Sequence, residues 1–533
     1  MASATGFVII GGGLAAAKAV DALRDNNFDG RIIVFADEEH LPYERPPLSK
    51  EFLAGKKSLT DFTVQNSDWY RDNDVDLRLN TRVCALDAAG HTVGLADGTT
   101  VAYDKLLLAT GSAARRPPIP GSDCAGVHYL RTYEDAVALN SFLGEGKSLA
   151  VVGAGWIGLE VAAAARQRGV EVTVVEAARQ PLTAALGETV GEVFATLHRE
   201  HRVDLRLETQ VREITRADGS ATGLRTTDGS AIPADAVLVA VGAQPNIELA
   251  EAAGLSLADG GVLVDASLRT SDPDIYAVGD IAAAEHPLLR TRIRTEHWAN
   301  ALKQPAIAVA GMLSRPGEYD ELPYFFTDQY DLGMEYVGHA PRFERVVFRG
   351  DVAAREFVAF WLDADDRVLA GMNVNIWDVL DDVKALIRSR APSTPTGSVI
   401  PAHRWASCSV DGSARGAPGR RSLGAVLRRR PPAVDDLGWA LHLQPLPLGA
   451  AALDPQPGIA GHGHQLVAGQ VVHVVDGVDQ IRLHPQRSQG AQRHSELVGE
   501  PHGGVVGQLL RAAGVGRQPL GQRRRRGGLG GRR

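Results

Sequence analysis

Two glycine-rich turns carry the chemistry that this chain could perform: Gly11-Gly12-Gly13-Leu14-Ala15-Ala16 near the start, and Gly153-Ala154-Gly155-Trp156-Ile157-Gly158 further on. In this spacing the first glycine (Gly11, Gly153) permits a tight turn and the second (Gly13, Gly155) lets a pyrophosphate approach the backbone. The third position, Gly158 in one copy and Ala16 in the other, brings helix close to strand. Free N–H groups and the dipole at the helix start then favour phosphate. An acid follows each copy where an adenosine ribose would lie. Glu176 ends an expected strand over 172–175 and would accept a ribose 2′-hydroxyl while repelling a 2′-phosphate, which favours NADH over NADPH. In the first copy Asp37 or Glu38, after a strand over 31–35, could do the same for FAD. Two dinucleotide sites in one chain imply electron transfer between them.

Both turns sit in the context that the motif needs. Apolar runs predict strands over 7–10 and 149–152, and apolar periodicity predicts helices over 15–23 and 159–168. Two further apolar runs, one ending in Ala109-Thr110-Gly111 and one in Gly242-Ala243, close the two units as counterparts. From Gln244 the chain is expected to return to the first unit, because 270–280 reads as a strand ending in Gly279-Asp280, where a flavin ribityl chain would need an acceptor. A helix over 298–313 follows, then short strands such as 355–362 and a last helix near 378–389. The fold class is therefore α/β, with two Rossmann-like dinucleotide-binding domains and a small α+β C-terminal domain. The expected division is 1–112 and 244–318 for the FAD-binding domain, 113–243 for the NAD-binding domain and 319–390 for the C-terminal domain, with a tail over 391–533.

Composition narrows the class. At 533 residues and 44% hydrophobic, the chain can build several cores. No apolar stretch approaches the ~20 residues of a membrane span, and no secretory signal opens the sequence. Its three cysteines, Cys84, Cys124 and Cys408, are too scattered for a disulfide framework, a redox pair or a metal site, and a cytoplasmic protein is expected. The tail is a different polypeptide chemistry. From Pro401 it has 18 Arg, no Lys and eight Asp plus Glu, a net charge of +10 against −8 for the whole chain. Beyond Arg390 there is no Lys, Phe, Tyr, Asn or Met, the composition that GC-rich DNA yields when read off frame. Disorder is expected there, and the Arg/Gly-rich end lacks the interleaved aromatic rings of a nucleic-acid binder.

Taken together the motifs resemble the FAD-dependent NADH:ferredoxin reductases, the group of putidaredoxin and rubredoxin reductases, related to apoptosis-inducing factor. They belong to the pyridine nucleotide-disulfide oxidoreductase superfamily but lack its redox disulfide. The resemblance covers about 6–390 and rests on Leu41-Pro42-Tyr43-Glu44-Arg45-Pro46-Pro47-Leu48-Ser49-Lys50, the Ala109-Thr110-Gly111 turn, the second glycine fingerprint, the run 276–281 and Glu296-His297-Trp298. It implies FAD contacts at Ala15, Asp37, Arg45, Lys50, Val83, Arg131, Asp280 and Trp298 beside the Gly11 and Gly13 turn. NAD contacts are implied at Gly155, Ile157, Glu176 and Gly242, within the turn that also holds Gly153 and Gly158. Lys50 is expected beside the flavin and paired with Glu160 on the first turn of the second glycine helix. The implied partner is a [2Fe-2S] ferredoxin or rubredoxin that serves an oxygenase or cytochrome P450.

Missing residues sharpen the chemistry. Disulfide reductases of the superfamily pass electrons to a cysteine pair on the helix after the first fingerprint, and residues 14–25 hold no cysteine; peroxidase relatives use a cysteine soon after the first acid, and 40–50 hold none. Electrons from NADH must then leave the flavin outward to a one-electron acceptor. Two rivals share the motifs: a reductase of a small acceptor such as a quinone or monodehydroascorbate, and an apoptosis-inducing-factor-like sensor in which NADH shifts conformation or association. Arg290, Arg292 and Arg294 alternate along the sequence, so a strand there would present three cations on one face as a dock for an acidic ferredoxin. Phe326 stands where many relatives carry a tryptophan near the nicotinamide side of the flavin. His297 is expected to pack or hydrogen-bond rather than exchange protons.

Overall fold

The strand Gly6–Ile10, all Gly, Phe, Val and Ile, is buried throughout, as the centre of a sheet covered on both faces requires. The computed structural model describes residues 6–392, and the expectations for the tail from 393 onward lie outside the described residues. Gly6–Ile10 pairs in parallel with Ile32–Phe35 on one side and Thr100–Leu108 on the other, with Val75–Arg78 beyond Ile32–Phe35. Much later in the chain Ile275–Ala277 adds to Thr100–Leu108 in parallel, so the chain does come back to its first sheet. Helix Leu14–Asp25 turns Ala15, Ala16, Ala17 and Ala19 inward, and these small side chains let it pack closely against the sheet and against helix Trp298–Met312.

A second, five-stranded parallel sheet repeats the plan in the order Asp204–Arg206, Glu171–Val175, Ser148–Val152, Ala236–Val239 and Val127–His128. Its glycine helix spans Trp156–Gln167 with Gly155 as N-cap. That start precedes the sequence expectation by three positions and puts Glu160 one turn further inside. Trp156 and Ile157 are poor markers of a helix start, yet their backbone takes the first helical positions because Gly155 ends the turn. The chain enters and leaves this second sheet through one antiparallel ribbon, Ser112–Ala114 paired with Ala243–Pro245.

The last sheet is antiparallel, in the order Tyr324–Gln329, Leu332–Gly338, Val368–Val374, Glu356–Leu362 and Arg345–Asp351, with helix Leu380–Ser389 packed on it. Its edge strand Tyr324–Gln329 lies against helix Trp156–Gln167, which brings this sheet to the second glycine helix. Among the described residues no helix is long and apolar enough to cross a membrane.

Candidate active site

A cavity of about 1020 Å³ runs from the first glycine turn to the start of the second glycine helix. At one end Gly11 has φ +131°, and a Cβ there would stand 2.1 Å from the Ala109 carbonyl oxygen, so the turn requires glycine. Gly13 faces open space and caps Leu14–Asp25 without a side chain, which leaves the first N–H groups of the helix to a ligand. Ala15, Asp37 and Val83 line the same end. Cys84 lines it too, a free thiol with no second cysteine on the cavity wall.

Midway along the wall Arg131 and Asp280 pair at 2.6 Å. Ser112 donates to the same Asp280 oxygen, Oδ2. Arg131 Nε is buried and has no partner among the described residues. Arg45 braces this pair, donating to the Arg131 carbonyl at 2.6 Å and meeting Glu38 at 2.7 Å. Glu38 also accepts the Tyr43 hydroxyl. Of the two acids considered for the first ribose, Glu38 is thus engaged in the wall, whereas Asp37 is exposed and meets Arg82 at 3.4 Å. The Gly279-Asp280 turn is itself fixed, because the Gly279 N–H donates to Gln304 Oε1 at 2.7 Å.

At the far end three parts of the fold meet. Lys50 and Glu160 pair at 3.1 Å with only 10% and 6% of their side chains exposed. The Lys50 ammonium also lies 5.5 Å from the centre of the Phe326 ring, and Trp298 meets that ring edge-on at 5.8 Å. Glu160 takes two further donors, Ser49 and Thr327, that sequence reasoning missed. A polar residue at an inward position of a strand was the available signal for Thr327; Ser49 and Ser112 gave none. His297 packs on Phe325 at 4.9 Å, and burial pushes it down to about 4, so it is neutral near pH 7, and its Nδ1 has no partner among the described residues.

The remaining expected residues belong to the second glycine turn. Ile157 is exposed and lines the cavity. Gly153 (φ +100°) and Gly158, where a Cβ would stand 2.2 Å from the Gly153 carbonyl oxygen, build the turn itself. Gly155 faces open space, and Glu176 reaches back to this turn. Gly242 is exposed at φ +106°. Gly153, Gly155, Gly158, Glu176 and Gly242 are not on the wall of the large cavity.

One expectation needs correction. The row Arg290, Arg292, Arg294 does not form a face of three free cations: the strand spans only Thr291–Ile293, with Arg290 left-handed (φ +53°) at its entrance. Arg292 stands 3.5 Å from Asp259, and Arg294 meets Glu296 at 2.5 Å and donates to the carbonyl oxygens of Asp259 and Asp280. The acids that meet Arg292 and Arg294 lie outside the alternating segment, where the pattern gave no hint of them.

Two family models match the chain, pyridine nucleotide-disulphide oxidoreductase over residues 5–305 and reductase C-terminal over 324–401. The chain belongs to the pyridine nucleotide-disulphide oxidoreductase family. Within that family it is similar to the ferredoxin–NAD(+) reductase component of the anthranilate 1,2-dioxygenase system of Burkholderia cepacia, 42% identical over 74% of this chain and 96% of that one. Putidaredoxin reductase CamA of Pseudomonas putida is 36% identical over 73% of this chain and 93% of its own length. Among solved structures the covalent putidaredoxin reductase–putidaredoxin complex matches with a TM-score of 0.71 at 35% identity, over 73% of this chain and 94% of that one.

Oxidoreductases of this family use FAD and NAD(H). The residues present fit FAD. Gly13 and the uncapped helix start suit a diphosphate, the unpartnered Arg131 Nε is a buried donor, and both protein donors to Asp280 go to Oδ2, which leaves Oδ1 for a hydroxyl from the cavity.

Proposed function

We propose that the protein is an FAD-dependent NADH:ferredoxin reductase, which takes hydride from NADH and passes single electrons to a [2Fe-2S] ferredoxin or rubredoxin that serves an oxygenase or cytochrome P450. The observation that carries this reading is a cavity that runs from the first glycine turn to the start of the second glycine helix, with no cysteine pair among the described residues on its wall. Bound FAD would accept two electrons as hydride and release them singly. The Leu14–Asp25 helix start and Gly13 would hold its diphosphate, Asp37 the ribose, Asp280 and Arg131 the ribityl chain, with Val83, Arg45 and Trp298 completing the walls. Gly155, Ile157, Gly242 and Glu176 would bind NADH, with Glu176 selecting against a 2′-phosphate.

Lys50 and Glu160 would orient the reacting end. The buried carboxylate fixes the ammonium against Phe326, while Phe326 and Trp298 exclude water. The ribbon of Ser112–Ala114 and Ala243–Pro245 supports the division into an FAD-binding domain (1–112 and 244–318) and an NAD-binding domain (113–243), with the C-terminal domain over 319–390. Sparse cysteines support a cytoplasmic location. Stopped-flow reoxidation of the NADH-reduced enzyme tests the function: a [2Fe-2S] ferredoxin should outpace quinone and oxygen. Faster reoxidation by quinone would favour the small-acceptor reading, and slow reoxidation by all of them a sensor.

A further inference from the structure

Glu160 is a carboxylate sunk in the protein, and its charge is met from two parts of the chain. Its Oε2 takes Lys50 Nζ at 3.1 Å and the Ser49 hydroxyl; its Oε1 takes the Thr327 hydroxyl at 2.6 Å. Thr327 is fully buried on the strand Tyr324–Gln329. A threonine hydroxyl has one proton, and an ionised carboxylate can only accept it, so any other partner of that oxygen must donate. The donor is Gln329 Nε2 at 3.3 Å. With its amide nitrogen so directed, Gln329 offers Oε1 to His198 Nε2 at 2.8 Å, and an amide oxygen only accepts. His198 therefore carries its proton on Nε2. Burial pushes this histidine down to about 4, so the ring is neutral, and its Nδ1 has no partner among the described residues. Every proton in the series His198, Gln329, Thr327 points toward Glu160.

We infer that Thr327, backed by Gln329 and His198, is a positioning residue for the Lys50–Glu160 pair: it holds the Glu160 carboxylate aimed, and so fixes the Lys50 ammonium at the cavity. This rests on the proposed role of that pair beside the flavin. The series is not a proton wire, because the Gln329 amide cannot relay a proton without passing through its imidic acid form. It transmits orientation and charge. It also joins three elements, since His198 lies on helix Glu188–Glu200, Glu160 on helix Trp156–Gln167 and Thr327 on the C-terminal sheet. The C-terminal sheet thereby contributes a hydrogen bond to the site as well as the Phe326 ring.

The test uses full-length holoenzyme with Thr327→Val, Thr327→Ser, Glu160→Gln and the double variant Thr327→Val/Glu160→Gln. Two quantities are read: the limiting rate of flavin reduction by NADH, and the long-wavelength absorption of the reduced enzyme with NAD+ bound. Thr327→Val is expected to slow reduction about tenfold, the effect of losing one hydrogen bond to a buried charge, and to shift the absorption band. Thr327→Ser, which restores the hydroxyl, recovers the rate to within about threefold. On the Glu160→Gln background Thr327→Val adds no further loss, because the two act as one unit. If Thr327→Val fails to take up flavin, Gln329→Met serves instead and gives a smaller loss of the same sign. A wild-type rate and band in Thr327→Val overturns the inference, and so does an equal loss on both backgrounds, which marks mere packing. If Glu160→Gln itself leaves reduction unchanged, the role of the pair falls, and the inference with it.

Discussion

The carboxylate of Glu176 accepts the backbone N–H of Ala154 at 2.7 Å, which ties the acid at the end of one strand to the glycine turn that follows its neighbour. A second N–H, from Ala178 at 2.8 Å, holds the same carboxylate from the other side. On the proposed reading, the charge fixed in this way would meet the adenosine ribose of a nucleotide on that turn. NADH is expected to outperform NADPH in kcat/KM by ~10²-fold or more, because a 2′-phosphate would meet an anchored anion. Glu176→Ala should narrow the gap, mainly by raising KM for NADH. Steady-state kinetics with both nucleotides checks this, and equal efficiencies in the wild type would refute it.

The Lys50–Glu160 pair separates stability from chemistry. Removing one partner leaves a buried charge unpaired, at a cost of about 3–5 kcal/mol, whereas replacing both with apolar residues of similar size removes that cost. Lys50→Met is therefore expected to melt well below the wild type, and Lys50→Met/Glu160→Leu to melt closer to it. Flavin reduction by NADH should stay slow in both. A double variant that regains the wild-type rate would show that the pair serves folding alone.

Flavin retention should depend on Arg131 and Asp280. Asp280→Ala removes an acceptor at the cavity and leaves the Arg131 guanidinium buried without its 2.6 Å partner. We expect flavin affinity to fall about tenfold or more, read as the flavin-to-protein absorbance ratio after gel filtration at rising dilution. Retention equal to the wild type would place the ligand elsewhere in the cavity.

Acid should destabilise the fold through buried histidines. His198 is fully buried and titrates at about 4 instead of near 6.5, because burial disfavours its charged form. The unfolded chain takes up this proton below about 6.5 while the folded one resists until about 4. The contribution is thus complete above about 6.5 and is lost as pH falls between the two values, up to about 3 kcal/mol. Burial lowers His128, His286 and His339 as well, with the same sign. His198→Gln, which does not titrate, should flatten the slope of denaturant stability against pH in this window, and an unchanged slope would contradict the assignment.

What could be read from the sequence was what the backbone dictates locally. Gly11, Gly13, Gly153, Gly155 and Gly158 have their spacing because a turn, a phosphate and a close helix each need room, and the strands around them are continuous apolar runs. Ser49 and Ser112 were not legible, because each acts through a partner far along the chain, Glu160 or Asp280, and Thr327 was marked only as a polar residue at an inward strand position, with nothing to name Glu160 as its partner. Phe326 stood out from the family pattern while Thr327 beside it did not, although Thr327 and Gln329 both occupy inward positions of their strand. The arginine row misled for a related reason. Alternation fixes the side on which a side chain starts, not which acid from another loop will neutralise it.

The paired strands Ser112–Ala114 and Ala243–Pro245 make the inserted span a separable graft. Since the chain departs and comes back through adjacent strands, the whole intervening span hangs from the first domain by a single two-stranded seam, with the first sheet left intact on either side. Such a graft has one junction to repair, and that junction contains Ser112, whose hydroxyl rests on Asp280. A chimera carrying a foreign cassette would succeed or fail first at this seam.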